Sequence, residues 1–175
     1  MTGSATPRSP LLELDDLKMH FPIRKGAFRQ VVGHVKAVDG VSLRVEDGET
    51  LGIVGESGCG KSTLARTVLR IYRPTGGEIR YRDRRGGTVD LAALSGPALK
   101  DIHRDLRMVF QDPQSSLNPR LPVIDIIGEV LSVNGIVKGR ELEHRVADLM
   151  RSVGLRPEYM RRYPHAFSGG ERQRI

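Results

Sequence analysis

The 175-residue sequence holds one cysteine, Cys59, and no tryptophan. A single thiol excludes an internal disulfide framework. No run of about 18 apolar residues occurs, so no segment is expected to cross a bilayer as a helix. The opening MTGSATPRSP lacks the apolar centre of a secretory signal, so the chain is expected to stay in the cytosol. Residues 1–10 are small, polar and proline-bearing, and are expected to be disordered. Acidic residues are in deficit: 28 Lys and Arg against 21 Asp and Glu leave a net charge of +7. That balance favours anionic partners such as phosphate, nucleic acid or a membrane surface. Most of the excess is arginine scattered through helical stretches, which reads as a solvated surface.

What is present centres on Thr50 to Thr63, TLGIVGESGCGKST. An apolar run, Leu51–Val54, reads as a strand ending at Gly55. Then comes G-x-x-x-x-G-K-S from Gly55 to Ser62, followed by a helical run over 63–72. Strand, glycine loop and helix are the context of a phosphate-binding loop. Gly55, Gly58 and Gly60 let the backbone curl round an anion and aim its N–H groups inward. A helix N-terminus adds partial positive charge at the same place. Lys61 can reach terminal phosphates, and the Ser62 hydroxyl can ligate Mg²⁺. Cys59 reads as a small filler of the loop. The expectation is binding of ATP or GTP.

The remaining chain reads in order. Residues 11–21 form a strand that Pro22 should end, and 22–34 form a basic, mobile loop. His34–Glu46 is a second strand with a bulge or bend at Asp39-Gly40. Together these suggest an antiparallel sheet beside a parallel core. Short strands follow at 78–81 and 88–91, then a helix opening at Ser95 and Pro97. Leu106–Phe110 reads as a buried strand stopped by Pro113. Beyond it the pattern is helical. Val123, Ile126, Ile127, Val130 and Leu131 share one helix face, and Leu142, Val146, Leu149, Met150 and Val153 share another. Both stripes read mostly as core packing.

Three elements in fixed order, GESGCGKST at 55–63, FQDP at 110–113 and FSGGE at 167–171, resemble the ATP-binding cassette (ABC) ATPases, the motors of ABC transporters. QDPQSSLNPR at 111–120 and RYPHAFSGGERQRI at 162–175 are similar to the branch importing oligopeptides, dipeptides or nickel. The resemblance implies an α/β P-loop NTPase (RecA-like) core with an antiparallel β subdomain and an α-helical subdomain. Residues 11–111 would be the nucleotide-binding core with its β part, and 112–175 the helical subdomain.

Position by position, Gly55, Ser57, Gly58, Cys59, Gly60, Lys61, Ser62 and Thr63 match the Walker A loop. Gln111 matches the glutamine that contacts Mg²⁺ and senses the transporter's coupling helix. Ser168, Gly169 and Gly170 match the signature, which touches ATP held by the opposite subunit. Phe21 is the candidate adenine-stacking aromatic. The implied ligands are ATP and Mg²⁺, and the implied reaction is ATP hydrolysis coupled to import. The implied partners are transmembrane permease subunits and a second ATPase subunit, equal or different, at the cytoplasmic face of the membrane. No nucleic acid is expected.

The sequence departs from the family pattern in two ways. The signature reads FSGGE where the family has LSGGQ, and Glu171 sets a carboxylate near a phosphate-facing helix start. After Lys61, no run of four apolar residues followed by Asp-Glu occurs, and none of the five histidines stands in a context suggesting the switch role, so the Walker B acids and the switch histidine are expected to be absent from this chain. The core sheet should be incomplete, the chain a fragment, and its own hydrolysis negligible. Two other readings compete: a nucleotide-binding module without turnover, and a nucleic-acid-associated ABC ATPase.

Overall fold

The computed structural model of the protein describes residues 10–110 and 116–175. These fall into two units, 1–108 and 109–175. Apart from Pro10, the expected disorder of residues 1–10 lies outside the described residues, and so does Gln111.

The first unit is built on a four-stranded antiparallel sheet. Strand β1 (Leu12–Lys25) pairs with β2 (Gln30–Val45) on one side and β3 (Gly76–Arg82) on the other, and β3 carries β4 (Thr88–Asp90). Cross-strand charge helps fix the register. Glu13 stands opposite Arg44 on β2 and Arg80 on β3, and pairs with both at 2.6 and 3.3 Å. The bulge expected at Asp39-Gly40 is present. Leu17 faces Val41 and Lys18 faces Asp39, so Gly40 is the extra residue, with φ 79°.

Pro22 does not end β1, and the expected loop over 22–34 is mostly strand. Only Gly26–Arg29 turns. The reason lies in the ladder. The His20 N–H points toward Thr75, away from β2, and Pro22, two residues on, lacks its N–H on that same side. β3 has ended there, because its last rung is Lys18 with Gly76, so no ladder bond is lost. Val31, Val32 and Val35 then favour extended backbone.

Helix α1 (Lys61–Val68) follows the glycine loop and stops earlier than expected. Arg70 takes up φ 59° and donates to the carbonyls of Leu91 and Leu94 at 2.6 and 2.8 Å. Helix α2 (Gly96–Ile102) opens with Pro97 in its first turn, as expected. Leu14, Leu17, Ile79 and Leu91 form the buried centre, closed on one side by Leu64 of α1. Each such burial is worth about 2 kcal/mol.

Two expected strands belong to no ladder. Leu51–Val54 and Leu106–Phe110 pair with nothing among the described residues, and every pairing there is antiparallel. Val54 is 93% and Val109 94% exposed. Apolar composition signals a preference for burial, but a strand also needs a neighbouring strand to bond.

The second unit holds α3 (Val123–Val133), α4 (Arg140–Ser152) and α5 (Gly169–Arg174), with single 3-10 turns at Pro157–Tyr159 and Pro164–Ala166. Val123, Val146, Met150, Leu155 and Phe167 are its buried core. Gly128 lets α3 approach α4, since a Cβ there would sit 3.2 Å from Leu142. The stripes are only partly core: Val130, Leu149 and Val153 remain exposed.

Candidate functional site

The loop Gly55–Gly60 gets its shape from main-chain constraints that only glycine meets. Gly58 and Gly60 have φ of 83° and 97°. Gly60 is restricted a second way: a Cβ added there would lie 2.3 Å from the carbonyl oxygen of Ala37 on β2. The sequence reading assigned Gly60 to phosphate wrapping and missed this seat on the sheet. The contact is distant along the chain and leaves no local signal. The loop closes through Cys59 N–H to the Glu56 carbonyl at 3.3 Å, and α1 starts with Leu64 N–H to the Gly60 carbonyl at 2.8 Å.

No side chain caps α1, and its first turn has no acidic residue. Its leading N–H groups therefore meet no internal anion and can serve an external one. Lys61 is the first residue of α1. Its ammonium donates to the carbonyls of Gly55 and Glu56, both at 2.7 Å, and lies 3.4 Å from Cys59 Sγ. The lysine thus folds over its own loop, centred where a phosphate would be gripped. Ser62 is exposed and its hydroxyl makes no hydrogen bond among the described residues, leaving a hard oxygen donor of the type Mg²⁺ takes. Thr67 by contrast spends its hydroxyl on the Thr63 carbonyl at 2.7 Å.

Beside the loop lies a cavity of about 300 Å³. Ala37, Val41, Ile53 and Val54 give it an apolar wall, and Cys59 and Lys61 give it a polar end. Asp39 also lines it. Hydrogen bonds from Lys36 and then His20 hold that carboxyl below the ordinary aspartate range. The β2 wall was not read from the sequence. Phe21 stays outside it, half-buried and edge-on to Tyr72 at 5.3 Å between ring centres.

Ser168, Gly169 and Gly170 open α5 in the second unit. Ser168 accepts from the Glu171 N–H at 3.3 Å, while its own N–H and hydroxyl donate to Glu171 Oε2, both at 2.8 Å. This is a complete capping box. The Ser168 N–H, then its hydroxyl, hold the Glu171 carboxyl below the ordinary glutamate range. The S-x-x-E spacing that signals such a box stands in the sequence.

Residues 38–175 match the family model described as ABC transporter. The chain belongs to that family. Among curated relatives of this ABC chain, the oligopeptide transport ATP-binding protein AppF of Bacillus subtilis (strain 168) is 49% identical over 98% of the chain and 51% of the relative. The dipeptide transport ATP-binding protein DppF of Escherichia coli (strain K12) is 45% identical over 99% and 50%. The chain therefore spans about half the length of the curated relatives it matches. Among solved structures, a dimeric post-hydrolysis ATP-binding cassette, MJ0796 bound to ADP and Pi, aligns with a TM-score of 0.71 at 25% identity, over 93% of the chain and 66% of that structure. The P-loop fold class expected from the sequence accords with these neighbours.

Proposed function

We propose that this chain is the ATP-binding part of a motor subunit that drives import of peptides or a similar solute. The observation that carries the reading is the uncapped start of α1, with Lys61 folded across the glycine loop. An entering phosphate would take the Lys61 ammonium from the two carbonyls and accept the loop N–H groups, exchanging bonds to neutral carbonyls for bonds to a charged partner. Gly55, Ser57, Gly58, Cys59, Gly60 and Thr63 complete the cradle. The Ser62 hydroxyl would hold Mg²⁺, with Gln111 as a second ligand. That ion supplies charge neutralisation between the phosphates. Phe21 is our candidate for stacking adenine.

Residues 11–111 would then be the nucleotide core and 112–175 the helical subdomain. In the assembled protein, Ser168, Gly169 and Gly170 would meet nucleotide on a second ATPase subunit. The dimeric cassette among the structural neighbours supports such pairing. The names of the relatives support peptide import and, through it, permease partners at the cytoplasmic face of the membrane. Phosphoryl transfer also needs a positioned base for water. No apolar run followed by Asp-Glu occurs after Lys61, so the 175-residue chain by itself should bind nucleotide and turn it over negligibly.

Calorimetry with Mg-ATP tests the reading. Binding is expected, and Lys61→Ala should weaken it by about 2 to 3 kcal/mol, the worth of a charged hydrogen bond. Equal affinity in the two proteins would refute it. Steady phosphate release that vanishes in Lys61→Ala would refute the absence of turnover alone.

A further inference from the structure

The tip of the β1–β2 hairpin, beyond Phe21, has no part in the proposed nucleotide site. The last rung shared with β3 is Lys18 with Gly76, and from there to Lys25 the two strands run on alone for about 20 Å. Every residue from Pro22 to Val32 is exposed. The Gly26–Arg29 turn, closed by Arg29 N–H to the Gly26 carbonyl at 3.1 Å, puts Phe28 at the apex with 90% of its surface exposed. Ile23, Val31 and Val32 are also exposed. Uncovered apolar groups on a free ribbon need an explanation.

The charge around them has one sign. No carboxylate occurs between Asp16 and Asp39, a stretch that holds Lys18, Arg24, Lys25, Arg29 and Lys36. Lys18 and Lys36 pair with the two bordering aspartates. Arg24, Lys25 and Arg29 enter no ion pair among the described residues, and all three lie within four residues of Phe28 along the hairpin. An apex of one aromatic ring and three uncompensated cations, backed by exposed aliphatic side chains, has two demands. It needs anions at the level of the cations and an apolar medium just beyond.

We propose that this tip docks on an anionic lipid bilayer, with Arg24, Lys25 and Arg29 at the phosphate headgroups and Phe28 inserted beside the upper acyl chains. Nucleic acid would satisfy the cations and leave Ile23, Val31 and Val32 in water. An acidic protein would need an apolar pocket framed by carboxylates, whereas a bilayer offers both layers everywhere. The contact is weak alone and gains by adding to other attachments.

The absence of tryptophan makes the test clean. In the full chain, Phe28→Trp gives a single fluorescent reporter at the apex, and Arg85→Trp a control in the β3–β4 turn. With vesicles of phosphatidylglycerol and phosphatidylcholine, the emission of the apex reporter should shift to the blue, the more so at low salt, and the control should not move. Phosphatidylcholine alone should produce no shift. Changing Arg24, Lys25 and Arg29 to Gln together should weaken vesicle binding roughly a hundredfold, from the usual worth of a cation at an anionic surface. No shift on anionic vesicles, an equal shift on neutral ones, or an equal shift of the control would overturn the proposal. So would a response to duplex DNA or polyglutamate in place of vesicles.

Discussion

Two glycine-rich turns each start a helix in this chain, and they resolve the same problem in opposite ways. Both α1 and α5 begin with N–H groups that have no partner in the helix. At α5, the Ser168 hydroxyl takes one of those donors, the Glu171 N–H, and Glu171 in turn holds the Ser168 N–H. At α1, a glycine occupies the cap and no acid follows, so the donors stay open and Lys61 is added beside them. The local recipe is similar, and the cap residue together with the side chain three residues on sets the difference: Gly60 and Thr63 leave the start of α1 uncapped, while Ser168 and Glu171 form a box. Glu171 therefore does more than add a negative charge: it holds the Ser168 N–H and hydroxyl.

This contrast can be broken at either end. The largest effect is expected from Gly60→Ala. Its Cβ would meet the Ala37 carbonyl at 2.3 Å with φ at 97°, so the chain must move backbone rather than a flexible side chain. A loss of about 3 kcal/mol or more, with nucleotide binding lost alongside, should show in denaturant unfolding. An unchanged midpoint would mean that the seat on β2 does not fix the loop. Next comes Ser168→Ala, which removes the cap of α5. It should cost about 1 kcal/mol locally, read as faster amide exchange in residues 169–174, with ATP affinity unaltered. A matching loss of ATP affinity in the isolated chain would blur the distinction between the two turns.

Acid should act on the closed turn and on the sheet. The Glu171 carboxyl is held low by Ser168, and that of Glu13 by Arg44 and then Arg80. A depressed carboxyl stabilises the fold fully above its unfolded value, near 4.5, and the contribution fades as pH falls below that. Both side chains sit half-buried at the surface, where solvent still screens their partners, so the change should be small. Glu171→Gln should flatten the part belonging to α5, followed by amide exchange against pH, and leave the start of α1 untouched.

The sequence made local features of the fold more legible than contacts between distant segments. The β1–β2 pair, the bulge at Gly40, the helix faces of Val123 and Val146, and the Gly55–Ser62 loop all carry local signals, and the structure has them. Its misses are non-local. Pro22 is tolerated because β3 ends at Gly76, and Gly60 is required because Ala37 crosses behind it. Leu51–Val54 and Leu106–Phe110 look like strands by composition, yet pairing depends on which neighbour is available. Phe21 could be assigned to the base only by family pattern, and in the structure its ring meets Tyr72. The capping box at Ser168 is legible in the local S-x-x-E spacing.

Amide NMR of the dilute, folded chain titrated with Mg-ATP tests the central contrast most directly. The N–H signals of residues 58–62 should shift progressively with nucleotide, while those of 168–171 hold their positions. Unmoved signals at 58–62, or movement confined to 168–171, would contradict the account.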